Sequence, residues 1–150
     1  MRLAELVRDA NAVAAASRRL EKTARLADLL RRVPADEIAV AVGFLSGQLR
    51  QGRLGIGHAA IAAAAPAASA EDASLELRGV DEALTAMAAV SGPGATRERV
   101  RQLAALLARA TRDERDFLRR LRRYRADNTA AEADTIDTVR RIASTWLAAR

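Results

Sequence analysis

The sequence of 150 residues is short of the side chains that usually carry catalysis or metal binding. It contains no cysteine and a single histidine, His58. Without cysteine there are no disulfides, no thiol nucleophiles and no thiolate metal sites. One imidazole has no histidine partner with which to hold a transition metal. We therefore predict no metal site and interpret His58 as a polar residue that begins a short helix.

Long apolar runs are also missing. No uninterrupted apolar stretch approaches the roughly 20 residues that a bilayer-spanning helix needs. The sequence opens Met1-Arg2-Leu3-Ala4-Glu5 and reaches a carboxylate at once, without the apolar region of a signal peptide. We expect a soluble cytoplasmic protein with no membrane partner.

Lysine is nearly absent, and arginine takes its place. Lys22 stands beside 24 arginines, and 19 carboxylates leave a net charge of +6. Either a GC-rich genome or phosphate binding, which suits the planar guanidinium, would explain this bias. Residues 97–125 hold eleven arginines against four carboxylates, a net charge of +7, whereas the rest of the chain sums to −1. Charge concentrated in one region indicates an anionic partner.

The apolar residues, half of the chain, recur with the period of a helix. They follow the i, i+3, i+4 spacing from Leu3 to Val13 and again from Leu20 to Leu30. Pro34 ends the second of these helices. No segment alternates as a strand would, so we predict an all-α fold, a compact array of about seven or eight helices.

The length suits one domain with its own core. We predict a single domain over 1–150, with a first helical half at 1–65 and a second at 80–150. Residues 66–79, rich in alanine, serine and carboxylates, are predicted to form a mobile connector.

Four helix starts can be predicted from short polar signals. Asp36 and Thr96 are expected N-caps, and a helix is expected from Asp81 to Val90. Thr111 and Glu114 have the spacing of a capping box, in which hydroxyl and carboxylate each accept from the other's backbone N–H.

The sequence shows no arrangement of residues typical of an enzyme active site. The serines have no histidine at a spacing typical of nucleophile activation, and the carboxylates are scattered. The glycine-rich segment is neither a dinucleotide-binding fingerprint nor a Walker loop, because no lysine follows it. We predict no catalytic residues, and the sequence favours a chain that is not an enzyme by itself.

The glycine-rich segment, Gly47 to Gly57, has a backbone that could bind a ligand directly. Its four glycines let the chain approach another surface and leave amide N–H groups pointing outward, and Arg50 and Arg53 flank them. Amides, two guanidiniums and a following helix N-terminus would suit a phosphate oxygen. A turn needed only for tight helix packing is the alternative interpretation.

A second arginine set lies on the helix predicted to start at Thr111. It occupies the side opposite the apolar residues of that helix and consists of Arg112, Arg115, Arg119 and Arg122. This row is either a solvated face or an additional phosphate contact.

The few aromatics, such as Tyr124 and Trp146, lie on apolar stripes, so base stacking is disfavoured and duplex backbone binding fits better.

Several segments together resemble the N-terminal DNA-binding domain of ATP-dependent DNA ligases, most closely the type found in GC-rich bacteria. The specific part is Phe-Leu-Ser-Gly-Gln-Leu-Arg-Gln-Gly-Arg-Leu-Gly-Ile-Gly at 44–57. Residues 16–22, 80–84, 91–94 and 109–121 continue it. The resemblance covers about residues 1–121, and the sequence diverges after that.

This resemblance implies an all-helical domain of two pseudo-repeated halves that holds double-stranded or nicked DNA by its phosphates. The family acts in DNA replication, repair and recombination, which implies a nucleoid-associated protein. The positions that the resemblance carries over as phosphate-binding are Gly47, Arg50, Gly52, Arg53, Gly55 and Gly57. Ser17 and Arg18 are further candidates for the same role.

Two departures from the family pattern matter. The adenylated Lys-x-Asp-Gly motif is absent, since Lys22 is followed by Thr23-Ala24-Arg25. We therefore expect no cofactor here, because ATP and Mg²⁺ belong to a catalytic domain that these residues do not contain. The family's second glycine loop, after residue 121, is replaced by residues 122–128.

The alternative function is a helical interaction module that docks on an acidic partner or on separately encoded ligase catalytic domains.

Overall fold

The computed structural model describes residues 1–52, 54, 56, 57, 64 and 68–123, except for the side chains of 122 and 123. These residues form helices α1 (Leu3–Ala15), α2 (Arg19–Arg32), α3 (Ile38–Leu45), α4 (Leu77–Ala89), α5 (Ala95–Ala108) and α6 (Arg112–Arg123), with a 3₁₀ turn at Ala35–Glu37. No strand occurs in this part of the chain, and the all-α prediction is confirmed. Across the same residues, no helix is long and apolar enough to cross a membrane.

The first two helices form a hairpin whose bounds follow the sequence pattern closely. α1 ends at Ala15 because Ala16 is extended, and α2 ends at Arg32, just before Val33 and Pro34. One expected core residue is misplaced, since Leu20 is 85% exposed. It lies nine positions before the buried Leu29, which at 100° per residue puts the two on about opposite sides of α2.

Two of the predicted helix caps are wrong and one is confirmed. Asp36 lies inside the 3₁₀ turn and its carboxylate pairs with Arg78 of α4. Thr96 lies in the first turn of α5, which starts one residue earlier after Gly94 and has no side-chain cap. The capping box at the start of α6 is present. The Thr111 N–H donates to Glu114 Oε2 (2.8 Å), and the Glu114 N–H donates to Thr111 Oγ1 (3.4 Å).

The segment before α4 is not a free linker where the structure describes it. The Leu3 N–H donates to the Leu75 carbonyl (2.8 Å), and the Leu77 N–H donates to the Met1 carbonyl (2.9 Å). The Ala70 N–H also donates to the Ala110 carbonyl (3.1 Å). Leu75 and Leu77 are buried, so α4 starts four residues before the predicted Asp81. The sequence obscured this because alanine and serine around these leucines suggested mobility.

A single hydrophobic cluster joins the two ends of the described chain. Leu6 of α1 and Phe44 of α3 belong to the same cluster as Met87, Leu107 and Phe117 from α4, α5 and α6. α6 also packs directly on α1, and the Arg120 guanidinium donates to Asn11 Oδ1 at 2.9 Å. The glycine-rich segment leaves α3 at the edge of this shared core.

Candidate nucleic-acid interface

A tight turn at the end of α3 forms the first part of the glycine-rich loop. Ser46 follows the last helical residue, and Gly47 then adopts a positive φ of 65°. The Gly47 N–H donates to the Phe44 carbonyl (3.3 Å), and the Gln48 N–H donates to the Gly43 carbonyl (2.9 Å). These two bonds make a Schellman motif, in which a left-handed residue, usually glycine, ends a helix and reverses the chain.

Close packing of the backbone then fixes the path of the loop. A Cβ atom on Gly43 would lie 2.9 Å from the Gln48 backbone oxygen, so the returning chain occupies the place of a side chain. Gly52 has a positive φ of 67°, and its N–H donates to the Leu49 carbonyl at 3.0 Å, which closes a second turn. Residues with a Cβ disfavour such a φ.

Apolar side chains hold the loop to the core from one side. Three of them are buried or packed against the central cluster: Leu49, Leu54 and Ile56. Polar contacts hold it to α4 from the other side. The Gln51 amide nitrogen donates to Asp81 Oδ1 (2.7 Å) and lies 2.8 Å from Thr85 Oγ1. The described residues of the loop are therefore anchored on both sides.

Arg50 stands at the outer edge of this fixed loop. Its side chain is 56% exposed, and Nη1 lies 3.5 Å from Oδ2 of Asp81, whose side chain is 10% exposed. Among the described residues Arg50 has no other side-chain partner, so most of its five N–H donors face solvent. An exposed guanidinium on a rigid turn is suited to an anionic oxygen.

The glycine amides do not play the part expected from the sequence. Those of Gly47 and Gly52 donate within their own turns, so the prediction of outward amides is wrong for these two. The loop amides at 49–51 make no backbone hydrogen bond to any described residue. In the described part of the loop, the exposed group suited to an anion is therefore the Arg50 side chain.

The predicted arginine row on α6 is not one continuous exposed face. Arg115 is only 7% exposed, so its assignment to a phosphate-facing row is wrong. Its Nε donates to the Leu107 carbonyl at 2.8 Å, and Nη2 donates to the Ala68 carbonyl. Buried guanidiniums need such acceptors. Arg115 thus fastens α6 to the end of α5 and to the segment before α4.

The other described members of the row remain on the surface. Arg112 is exposed at the first position of α6 and has no partner among the described residues. Arg119 is 43% exposed in its side chain and lies 3.7 Å from Asp116 Oδ1. These two arginines are seven positions apart, or about 10 Å along the helix.

The fold brings some of the predicted positions together. Arg119 and Leu49 line the same small cavity, so α6 lies directly beside the glycine-rich loop. Val13 and Leu26 pack on Leu45, which holds the hairpin of α1 and α2 against the last turn of α3. Ser17 and Arg18, which the resemblance also implied, are exposed in that hairpin. Gly57 is exposed as well.

Some predicted positions lie outside the described residues. They are Arg53, Gly55, the side chain of Arg122, the short helix from His58, and both aromatic positions Tyr124 and Trp146. Sequence reasoning also missed three residues that shape the loop: Gly43, Gln51 and Asp81. A glycine inside a helical pattern is a signal of close backbone approach. Nothing in the sequence pairs Gln51 with a carboxylate thirty residues away.

Comparison with known proteins shows what the chain as a whole is similar to. The chain is 48% identical over 145 residues to the "Probable DNA ligase" of Anaeromyxobacter sp. (strain Fw109-5). The proteins of the same name from Sorangium cellulosum and Streptomyces griseus are 44% identical over 144 residues and 41% over 138. These alignments cover 96%, 95% and 89% of this chain. The chain is related to part of the bacterial DNA ligases.

The ligase relatives are much longer than this chain, which spans 27–28% of their length in these three comparisons. Coverage of 95% or more also means that the match runs past residue 121, where the resemblance was expected to end. No protein-family model and no solved structure matches the chain.

Proposed function

We propose that this chain binds duplex DNA through backbone phosphates, as the DNA-binding part of an ATP-dependent ligase. The observation that carries the proposal is the glycine-rich loop, whose core-facing side is fixed while Arg50 faces solvent. Affinity for DNA comes largely from the phosphates, and positively charged side chains supply it. A rigid turn adds affinity because less conformational entropy is lost on binding.

Neighbouring arginines extend this surface beyond one residue. Arg119 lies beside the loop, and Arg112 lies further along the same helix. Arg18 occupies the hairpin that packs on the end of α3. Four contacts of this kind would give a slope of about −3.6 for log K against log[salt], since each neutralised phosphate contributes about −0.9.

Nick sealing itself would need residues that this sequence does not contain. No Lys-x-Asp-Gly motif occurs in the chain, and the relatives are more than three times as long. We propose that ATP and Mg²⁺ act on the catalytic part of such a ligase, and that these residues contribute DNA contact. This assigns the chain to strand joining in replication, repair and recombination.

A salt titration of binding to nicked, intact and single-stranded DNA tests the proposal. We expect similar affinities for nicked and intact duplexes, weaker binding of the single strand, and a steep loss of affinity with salt. Arg50→Ala should weaken duplex binding about tenfold and reduce the salt slope by about one unit, because one charge-assisted phosphate contact is lost.

Arg31→Ala is a matched control, since Arg31 is an exposed arginine of α2 that pairs with Asp28 in its own helix. Its removal lowers the net charge by the same amount without changing the loop. Equal losses in both variants would show that total charge, and not the loop, determines affinity. Binding that is absent at about 50 mM salt, or independent of salt, would refute the proposal.

A further inference from the structure

Asp81 of α4 lies against the glycine-rich loop and contacts two successive loop residues. The residue is 7% exposed. Oδ1 accepts a hydrogen bond from the Gln51 amide nitrogen at 2.7 Å, and Oδ2 lies 3.5 Å from Nη1 of Arg50. One nearly buried carboxylate thus meets both the residue that anchors the loop and the arginine that the loop presents.

The contact with Gln51 is reinforced by the surrounding backbone. The same amide nitrogen lies 3.1 Å from the Asp81 carbonyl and 2.8 Å from Thr85 Oγ1, and the Thr85 hydroxyl donates to the Asp81 carbonyl at 2.9 Å. The three hydrogen-bond partners of this nitrogen are all oxygens, so the NH₂ end of the amide faces them. Gln51 is therefore held in one place immediately after Arg50.

The negative charge of Asp81 needs partners, and the loop supplies them. A carboxylate removed from water is unfavourable unless it is paired and hydrogen-bonded. Here Gln51 supplies a hydrogen bond and Arg50 supplies the opposite charge. A displaced loop would leave the carboxylate without both, so Asp81 favours the loop position in which Arg50 lies beside it.

We propose that Asp81 is a positioning residue for DNA binding, which orients the Arg50 guanidinium toward a phosphate by holding one edge of it. This inference rests on the proposed function of the loop. A guanidinium has five donors in a planar fork, so one edge can face the carboxylate while another binds phosphate. An arginine that is already ordered loses less rotamer freedom when DNA binds.

The sign of the effect distinguishes positioning from simple electrostatics. Removing any carboxylate raises the net positive charge, which by itself should strengthen binding to DNA. If Asp81 positions Arg50, its replacement should weaken binding instead. Asp36→Asn is the matched control, because Asp36 pairs with another exposed arginine, Arg78, outside the loop.

The experiment is a double-mutant cycle measured as duplex DNA affinity between about 50 and 200 mM salt. Asp81→Asn keeps an oxygen acceptor for Gln51 but removes the charge. We expect it to weaken binding on the order of three- to tenfold when Arg50 is present. In the Arg50→Ala background it should change affinity less than about twofold. Asp36→Asn should leave affinity unchanged or slightly higher.

Three results would overturn the inference. Tighter binding by Asp81→Asn would mean that the carboxylate withholds Arg50 from phosphate. An equal loss with and without Arg50 would mean that Asp81 only supports the fold. Wild-type protein that fails to bind DNA would refute the proposed function as well. The first two results refute only the role of Asp81, so the two proposals can fail separately.

Thermal unfolding of each variant checks that it folds. If Asp81→Asn does not fold, Thr85→Val tests the same arrangement, because it removes an acceptor of the Gln51 amide from an exposed position. Its loss of affinity should again require Arg50. A loss that persists in the Arg50→Ala background would overturn the inference.

Discussion

Arg50 and Arg115 are two arginines with opposite surroundings. Arg50 stands on the glycine-rich loop with more than half of its side chain exposed, beside one carboxylate. Arg115 lies on α6 with 7% exposure, and its donors are used by the carbonyls of Leu107 and Ala68. The sequence placed Arg115 in the more strongly basic region, yet Arg50 is the one of the two whose guanidinium is exposed.

The difference shows that an arginine in a strongly basic region of the sequence is not necessarily exposed. Within residues 97–123, several arginines are bound to the protein itself. Arg99 donates to the Met87 and Val90 carbonyls at the end of α4, and Arg101 pairs with Glu98. Guanidiniums that donate to backbone carbonyls stabilise the fold and have fewer donors left for an anionic partner.

The largest effect is expected from Arg115→Ala. It removes the donor to two backbone carbonyls and leaves space in the core, so the free energy of unfolding should fall by about 2–4 kcal/mol. Urea unfolding measures it, with Arg112→Ala as the control on the same helix, for which about 0.5 kcal/mol or less is expected. If both variants lose the same small amount, Arg115 is a surface residue and the contrast with Arg50 is wrong.

A smaller effect should follow from Gly43→Ala. Alanine favours a helix by up to about 1 kcal/mol over glycine, but its Cβ would meet the Gln48 carbonyl at 2.9 Å. We expect a net destabilisation of about 1–3 kcal/mol and weaker DNA binding through the displaced loop.

Gly79→Ala is the matched control for this substitution. Gly79 lies in α4, and a Cβ there would meet nothing within 4 Å. The same change should therefore stabilise the protein by about 0.5–1 kcal/mol. Stabilisation by both substitutions, measured by thermal unfolding, would show that the loop backbone can move away from Gly43.

The smallest effect concerns Glu98, which binds an arginine and is exposed. Hydrogen bonds from Arg101 and Gln102 lower the pKa of Glu98 from 4.5 to about 2. A depressed pKa in the folded state stabilises the protein above the unfolded pKa, and this contribution is lost as the pH falls from about 4.5 toward 2. The free energy of unfolding of Glu98→Gln should therefore be lower than that of wild type at pH 7, and the two values should converge near pH 2. A difference in unfolding free energy that stays constant over this range would contradict the assignment.

Much of the helical framework could be predicted from the sequence. The apolar spacing placed α1 and α2 within two residues of their observed ends. The Thr111–Glu114 capping box was also found, because its signal lies within four residues. The failures are of two kinds. The pitch of α2 alone separates Leu20 from the buried Leu29, whereas Arg115 is buried by the packing of neighbouring elements, which the sequence does not show.

The candidate site divides in the same way. Gly47 and Gly52 could be named from the glycine-rich pattern because a positive φ is a property of a single residue, and Arg50 because it stands between them in the sequence. Gln51 and Asp81 could not, because their contact joins residues thirty positions apart. The hydrogen bonds of the Gly47 and Gly52 amides could not be predicted either, since a sequence does not show which N–H groups a turn uses internally.

The sequence by itself determined that this protein is helical, rich in arginine, without cysteine, and equipped with a glycine-rich segment between helices. These properties follow from composition and local periodicity, which act over a few residues. The tertiary structure alone decided which arginines face solvent and which carboxylate holds the loop. Burial and ion pairing depend on what packs against a side chain, and the packing partners here come from distant parts of the chain.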